Sequence, residues 1–195
     1  MNRTSVIRAA DQRAMPWKNG GGVTTELLAL PAGASLETFA LRISRAHVAS
    51  AGAFSSFPGV DRTLLVLSTG ALDLRFEGRG ALRLDGASPP LVFPGDEPTF
   101  GAPSPGTDGV DDFNVMTRRG VGRAWVQRMD LSGRACELSP RGSALVVVVE
   151  SGAVQFESSA LTQFDAIFST QALRLSAERE TCSRLIVVDW FGPVD

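Results

Sequence analysis

An all-β protein with two barrels in one chain is the fold this sequence predicts, and three observations carry it. Apolar and polar residues alternate over short runs, turn formers separate those runs, and one strand–turn–strand unit recurs along the chain. With 195 residues, 44% of them hydrophobic, the chain is long enough to bury a sizeable core.

The first strands expected are Val23–Leu30 and Leu36–Val48, which mix apolar and polar residues at roughly period two. Arg62–Ser68 is an apolar run of strand length, and Ala71–Glu77 and Ala81–Asp85 alternate clearly. Asp111–Arg118, Arg123–Leu131, Ala144–Glu150, Ala153–Glu157, Thr162–Ser169, Leu173–Ala177 and Ser183–Trp190 follow. Turns are expected at Thr69-Gly70, Gly78-Arg79-Gly80, Pro89-Pro90, Pro94-Gly95-Asp96, Pro103–Gly109, Ser132-Gly133 and Ser151-Gly152. A short helix is expected only around Ile7–Arg13, ahead of Pro16. Many short strands at close spacing point to a barrel or sandwich, and barrels close their own edges.

The echo supports duplication. Leu64–Leu74 reads LLVLSTGALDL and Val146–Phe156 reads VVVVESGAVQF, so Gly70 falls on Gly152 and Leu72 on Val154 at a constant offset of 82. One barrel is therefore expected in residues 1–108, with an N-terminal lead-in segment, and the other in 109–195.

Composition excludes several classes. A net charge of -2 without a clustered basic run gives no field for nucleic acid. The longest apolar run, Ala144–Val149, is strand-sized, so no membrane span is expected. Met1–Ala10 has two arginines but no apolar segment behind them, unlike a secretory signal. Cys136 and Cys182 make no disulfide framework, which points to a cytoplasmic protein with reduced thiols. One histidine, His47, rules out sites that need two or three imidazoles. No G-x-S-x-G elbow, Walker loop or dinucleotide fingerprint is present.

Four segments carry candidate chemistry. In Met15–Glu26 (MPWKNGGGVTTE), three glycines follow Trp17, Lys18 and Asn19, which offer a stacking surface, a cation and an amide. Gly20 and Gly21 suit close backbone approach to a small anionic or planar ligand; a flexible loop plugged by Trp17 is the alternative. In Phe54–Arg62 (FSSFPGVDR), Asp61 and Arg62 project to opposite faces of a strand. One points into a barrel while the other caps a turn, or the segment is only a corner. In Asp111–Arg119 (DDFNVMTRR), Asp112 and Asn114 share a face opposite Phe113 and look either into a polar lumen or into solvent. In Phe39–Val48, Arg42 is either a carboxylate clamp or a solvent-facing arginine, and His47 reads more simply as structural than as a catalytic base.

MPWKNGGGVTTEL, LRIS, FSSFPGVDRTLLVL, FPGD and DFNVMTRR, in that order between residues 13 and 119, resemble the HutD/Ves family. The C-terminal third matches only in strand pattern. The resemblance implies a cupin-like fold, two β-barrels in one chain (a bicupin). The sequence departs from the family pattern at Leu41, where the family often has Trp, and at Arg45-Ala46-His47. The histidines of the cupin metal motif are missing, so the pocket is expected to be free of metal and of cofactor. Family members encoded with histidine-utilisation enzymes are thought to bind urocanate or a formylated or formimino-glutamate, and to tune the pathway rather than catalyse a step.

Three functional readings follow. The first is a metal-independent binding protein for a small carboxylate. Lys18 or Arg62, with Arg42, would neutralise the acid, and Asn19, Glu26, Asp61, Asp112 and Asn114 would serve its polar end. Trp17, Phe57 and Phe113 would form the apolar wall. The second is a cofactor-free isomerase or hydrolase of a small polar metabolite, with its acid–base pair drawn from Lys18, Glu26, Asp61, Asp112 or His47. The third is a protein-interaction module built on the glycine loop. A homodimer through open β edges is also expected.

Overall fold

In the computed structural model, residues 3–17, 20–67, 69–177 and 182–194 are described. The strands are β1 (Thr4–Ile7), β2 (Arg13–Pro16), β3 (Gly22–Leu30), β4 (Leu41–Val48), β5 (Gly52–Ala53), β6 (Val60–Val66), β7 (Ala71–Phe76), β8 (Gly80–Asp85), β9 (Leu91–Pro94) and β10 (Thr99–Pro103). They continue with β11 (Val110–Arg118), β12 (Arg123–Ser132), β13 (Ala135–Leu138), β14 (Ala144–Ser151), β15 (Val154–Phe156), β16 (Ser159–Leu161), β17 (Ala166–Ser169), β18 (Leu173–Ser176) and β19 (Cys182–Phe191). The helix expected at Ile7–Arg13 is a single 3-10 turn, Ala9–Asp11, because β1 and β2 occupy the residues on either side. Among the described residues no helix is long and apolar enough to cross a membrane.

The chain divides into Arg13–Val121 and a second unit made of Met1–Gln12 with Gly122–Asp195. This displaces the boundary expected at residues 108 and 109. β11 is hydrogen-bonded between β4 and β6, so it belongs to the first unit. β1 pairs with β17 and so belongs to the second.

The two units share one strand order. In the first, β4-β11-β6-β9 form one run and β5-β10-β7-β8 the other; in the second, β12-β19-β14-β17 and β13-β18-β15-β16 correspond to them. The first unit extends its larger sheet with β3 and β2 beyond β4, and the second extends its own with β1 beyond β17. In each unit both sheets contribute to one apolar core. Val48, Leu64, Val66, Leu72, Leu74, Phe76, Leu84, Phe93 and Val110 make the first. The second draws on Leu145, Val147, Val149, Phe156, Ile167, Leu175 and Leu185 among others.

The echo at offset 82 holds for the turn and the second strand, where Leu72 and Val154 both face their cores. It slips in the first strand. Leu64 and Val66 point inward, whereas their matches Val146 and Val148 alternate with the inward Val147 and Val149. A register shift between Val149 and Ser151 absorbs the difference, since one extra residue turns a whole strand over.

Asp165 ties the N-terminal segment to the second unit. One carboxylate oxygen accepts the Ala9 N–H at 2.8 Å; the other accepts the Thr162 N–H and the Arg8 guanidinium, each at 3.0 Å. Asp165→Ala is expected to cost about 1–3 kcal/mol in urea unfolding, because it strands three donors. Amide exchange of Thr4–Ile7 should quicken before that of β14; equal protection in the variant would show that β1 is held without this anchor.

Candidate functional site

The inward face of the larger sheet in the first unit carries a buried polar cluster, placed there by strand register. Met116 of β11 lies opposite Arg42 of β4 on one side and Arg62 of β6 on the other. The two arginine backbones are therefore separated by two strand spacings, roughly 10 Å. Phe93 follows beside Arg62. Glu26, Ser44, Asn114 and Leu64 form the next row, and Thr24, Ala46, Asp112 and Val66 the one beyond. Register partners share a face, and Leu64, Val66 and Phe93 belong to the core, so these rows point inward.

Burial is nearly complete: Asp112 is 2% exposed, Arg42 and Asn114 6%, and Arg62 7%. Arg62 donates from Nε and Nη2 to Asn114 Oδ1 at 3.2 and 3.0 Å, and from Nη1 to the Ser55 carbonyl at 3.5 Å. Its guanidinium carbon lies 4.8 Å from the ring centre of Phe54, 5.4 Å from that of Phe93 and 6.0 Å from that of Phe57, within cation–π range. With Oδ1 committed to two N–H groups, the Asn114 amide is fixed in orientation, and Nδ2 donates to Asp112 Oδ1 at 3.1 Å. Arg42 donates from Nε to Glu26 at 2.7 Å and from Nη1 to Ser44 at 3.4 Å. Glu26 sits at a bulge in which Leu27 is the extra residue of β3, a device that re-aims a side chain.

Donors are left over. A guanidinium has five N–H groups. Nη1 and Nη2 of Arg62 each keep one without a partner among the described residues, and Nη2 of Arg42 has none. The outer Nη edge of Arg62 is the edge that takes a carboxylate through two parallel hydrogen bonds. Burial lowers Arg62 to about 10, with Arg42 adding to the effect and Asp112 opposing it, so it stays a cation at neutral pH. Burial pushes the Asp112 carboxyl up to about 7, against the pull of Arg62 and the Asn114 hydrogen bond. The cluster therefore holds two cations, Glu26 bound to one of them, and an acid poised between its charged and neutral forms.

The structure brings together Arg42, Arg62, Asp112, Asn114, Glu26 and Phe57 of the residues singled out in the sequence. Trp17 packs against the same core and donates from its indole to Thr24 at 2.8 Å. Gly20 takes a φ of +69° in the turn after Trp17, and the Gly21 carbonyl accepts the Ala49 N–H. At Gly22 a Cβ would collide with the His47 carbonyl and crowd the Trp17 ring at 3.0 Å. The glycines thus let β3 and the Trp17 loop approach β4. Lys18 and Asn19 lie outside the described residues.

Three candidates fall elsewhere. Asp61 pairs with Thr117 on the other face of β6 and forms a surface ion pair with Arg119 at 3.4 Å. Phe113 is buried on the face of β11 opposite Asp112 and Asn114, so it does not line the chamber. His47, also on that opposite face, binds Asp111 at 2.9 Å, and this hydrogen bond raises its pKa. Sequence reasoning missed Ser44, Phe54, Phe93 and Met116. Phe54 was visible in the same FSSFPG block as Phe57, but Phe93 reaches Arg62 only through the β6–β9 pairing.

In the second unit the matching strands place Val147, Ile167, Leu185 and Val187 inward, with Gln127 beside Val187, and the next row on that face carries Ser169 and the buried Asp189 (2% exposed) beside Leu145, Asp189 accepting the Arg141 N–H at 2.9 Å. Among the described residues, no group of three His, Cys, Asp or Glu side chains is placed to hold a metal ion.

A cupin-like β-fold with a buried polar cluster on one sheet is the class these features define. The chain belongs to the HutD family, whose model matches residues 9–186. It is 36% identical to the protein Ves of Cronobacter sakazakii over 78% of this chain and 81% of that one. It is 38% identical to an uncharacterised 21.2 kDa protein in the hutC 3′ region of Pseudomonas putida, in a match that spans 40% of this chain and only 41% of that protein. Among solved structures, HutD from Pseudomonas fluorescens SBW25 superposes with a TM-score of 0.82 at 26% identity, covering 98% of this chain and 100% of that one. YhhW from Escherichia coli, a bacterial pirin, shares the fold with a TM-score of 0.70 at 10% identity, over 98% and 99% of the two chains.

A buried acid with a raised pKa holds its proton more tightly in the folded than in the unfolded chain. Its contribution is therefore greatest below the ordinary carboxylate value of 3.8 and is lost as pH rises through about 7. His47, also raised, acts in the same direction near neutrality, so the comparison must be between variant and wild type. Asp112→Asn should gain about 1–3 kcal/mol relative to wild type between pH 5 and pH 8 in urea unfolding. Parallel pH profiles would show that Asp112 does not titrate in this range.

Proposed function

We propose that the protein binds a small carboxylate metabolite in the first barrel, without metal or cofactor, and through that binding modulates histidine utilisation. The observation that carries this reading is the outer Nη edge of Arg62, held in place by Asn114 and three phenylalanine rings with donors to spare. Preorganised donors in a buried site bind anions without the cost of arranging them first. Urocanate fits this chemistry, with its carboxylate on Arg62 and its planar body against Phe54 and Phe57. A formylated or formimino-glutamate offers the same acid group and a second one for Arg42. We place the protein in the cytoplasm, where its free Cys136 and Cys182 stay reduced.

Asp112 also favours a second reading, cofactor-free isomerisation or hydrolysis of the bound metabolite, because an acid titrating near 7 suits proton transfer. In that case Asp112→Asn would abolish turnover, followed by NMR of the metabolite, while leaving binding largely intact.

A thermal-shift panel followed by calorimetry tests the binding reading, with urocanate, N-formyl-L-glutamate, N-formimino-L-glutamate and formate. At least one acid should raise Tm saturably, by mass action on the folded state. Arg62→Ala should weaken that acid about ten- to hundred-fold, the weight of a charge-assisted contact. Silence across the whole panel would sink the reading.

A further inference from the structure

We propose that Asp112 decides which carboxylates the first barrel accepts: an acid that brings only oxygens is taken up together with a proton that lands on Asp112, whereas an acid that also brings an N–H to Asp112 binds without one. The inference rests on the carboxylate reading above and adds to it the second recognition element and its proton balance.

Geometry comes first. Asp112 has no ion pair among the described residues; its tie to a cation is indirect, through the Asn114 amide, which accepts from Arg62 and donates to Asp112 Oδ1. Asp112 Oδ2 has no partner among the described residues, in a side chain that is nearly fully buried. Oδ2 keeps a sliver of accessible surface, too little for full hydration, so it is left underserved unless a donor occupies it. A ligand N–H, such as that of an imidazole ring or an amide, satisfies it directly.

The groups around Asp112 leave few other ways to balance its charge. On β11, Asn114 shares its face, and Asp111 lies on the other face, where its field disfavours ionisation. From β6 come Val66 and, through Asn114, Arg62. From β4 come Ala46 alongside, then Ser44 and Arg42 further along the strand. From β3 come Thr24, which holds the Trp17 indole, and Glu26, which is spent on Arg42. The smaller sheet contributes the apolar Leu72, Leu74 and Phe76 of the core. His47 lies on the outer face, bound to Asp111. Arg62 is thus the cation whose field holds Asp112 ionised, and the value near 7 marks that balance.

A carboxylate on the outer edge of Arg62 cancels that field. The ionised Asp112, the ligand anion and one proton from solvent then combine into a complex with neutral Asp112, whose new O–H is a donor rather than a second repelling charge. An N–H donated to Oδ2 acts the other way and keeps Asp112 ionised. The two ligand classes differ in protons exchanged, not only in affinity.

Calorimetry of glutarate and of urocanate at pH 7.5, each in phosphate and in Tris, reads this directly, because the two buffers differ in heat of ionisation. Glutarate should bind with a buffer-dependent enthalpy equivalent to uptake of a fraction of a proton, and urocanate with no uptake, only release of the small fraction Asp112 holds at this pH. Asp112→Asn should abolish the glutarate uptake and reduce the preference for urocanate over glutarate at least about tenfold. A buffer-independent glutarate enthalpy in the wild type, or uptake that persists in the variant, overturns the proposal. Those wild-type titrations decide it even if the variant fails to fold. If urocanate binds and glutarate does not, an unchanged urocanate affinity in Asp112→Asn overturns it, and a tenfold loss supports it. Binding by neither acid overturns the carboxylate site itself, and this inference with it.

Discussion

A guanidinium buried inside a β-barrel is the constraint from which the rest of the first unit follows. Taking Arg62 out of water is expensive unless its charge and its donors are answered. Three phenylalanine rings answer part of the charge, and one amide oxygen takes two of the five N–H groups. That amide is then no longer free to turn, so its other end must donate, and Asp112 is where it donates. Cation, amide and acid form a chain in which each member fixes the next. The chain still leaves donors on Arg62 and an acceptor on Asp112. A fold selected for stability alone would have filled this space with the leucines and valines that line the rest of the same core. That unspent polar capacity on a buried face is what the binding proposal rests on.

The second unit supplies the contrast. It has the same strand order and the same hairpin glycine, Gly152 against Gly70, yet aliphatic side chains fill most of its inward face, and the acid buried there, Asp189, is met by Arg141. The bulge at the end of β14 shows how sister strands came to present different residues inward, since one inserted residue exchanges the two faces of a strand. The two buried arginines thus belong to the first unit, whereas the inward face of the second sets Asp189 beside its aliphatic core.

Much of the fold was legible because strands write their burial into alternation. β3, β7, β8, β11 and β19 fall within a residue or two of the alternating or apolar runs. The strands not recognised, β1, β2, β5, β9, β10, β13 and β16, are two to five residues long, and most hold their places by pairing with distant partners, as β1 does with β17, β10 with β7 and β13 with β18. The domain boundary was missed for the same reason: nothing within 110–118 reveals that this strand lies between β4 and β6. At the site, alternation correctly set Asp61 against Arg62 and Phe113 against Asp112, but it could not say which face was inward. It also could not show that Arg42 and Arg62, 20 positions apart, flank one methionine, because that depends on the register of three strands at once. The glycine run was legible as an unusual backbone, although its work at Gly22 is to let Trp17 close against β4.

The central claim is that a carboxylate sits on the outer edge of Arg62 inside the first barrel. The most direct measurement is a crystal structure with the tightest-binding acid of the panel at saturating concentration. The account predicts both carboxylate oxygens within hydrogen-bonding distance of Nη1 and Nη2 of Arg62, with Asn114 still bridging to Asp112. An acid bound elsewhere on the chain, with this chamber unoccupied at saturation, would contradict it.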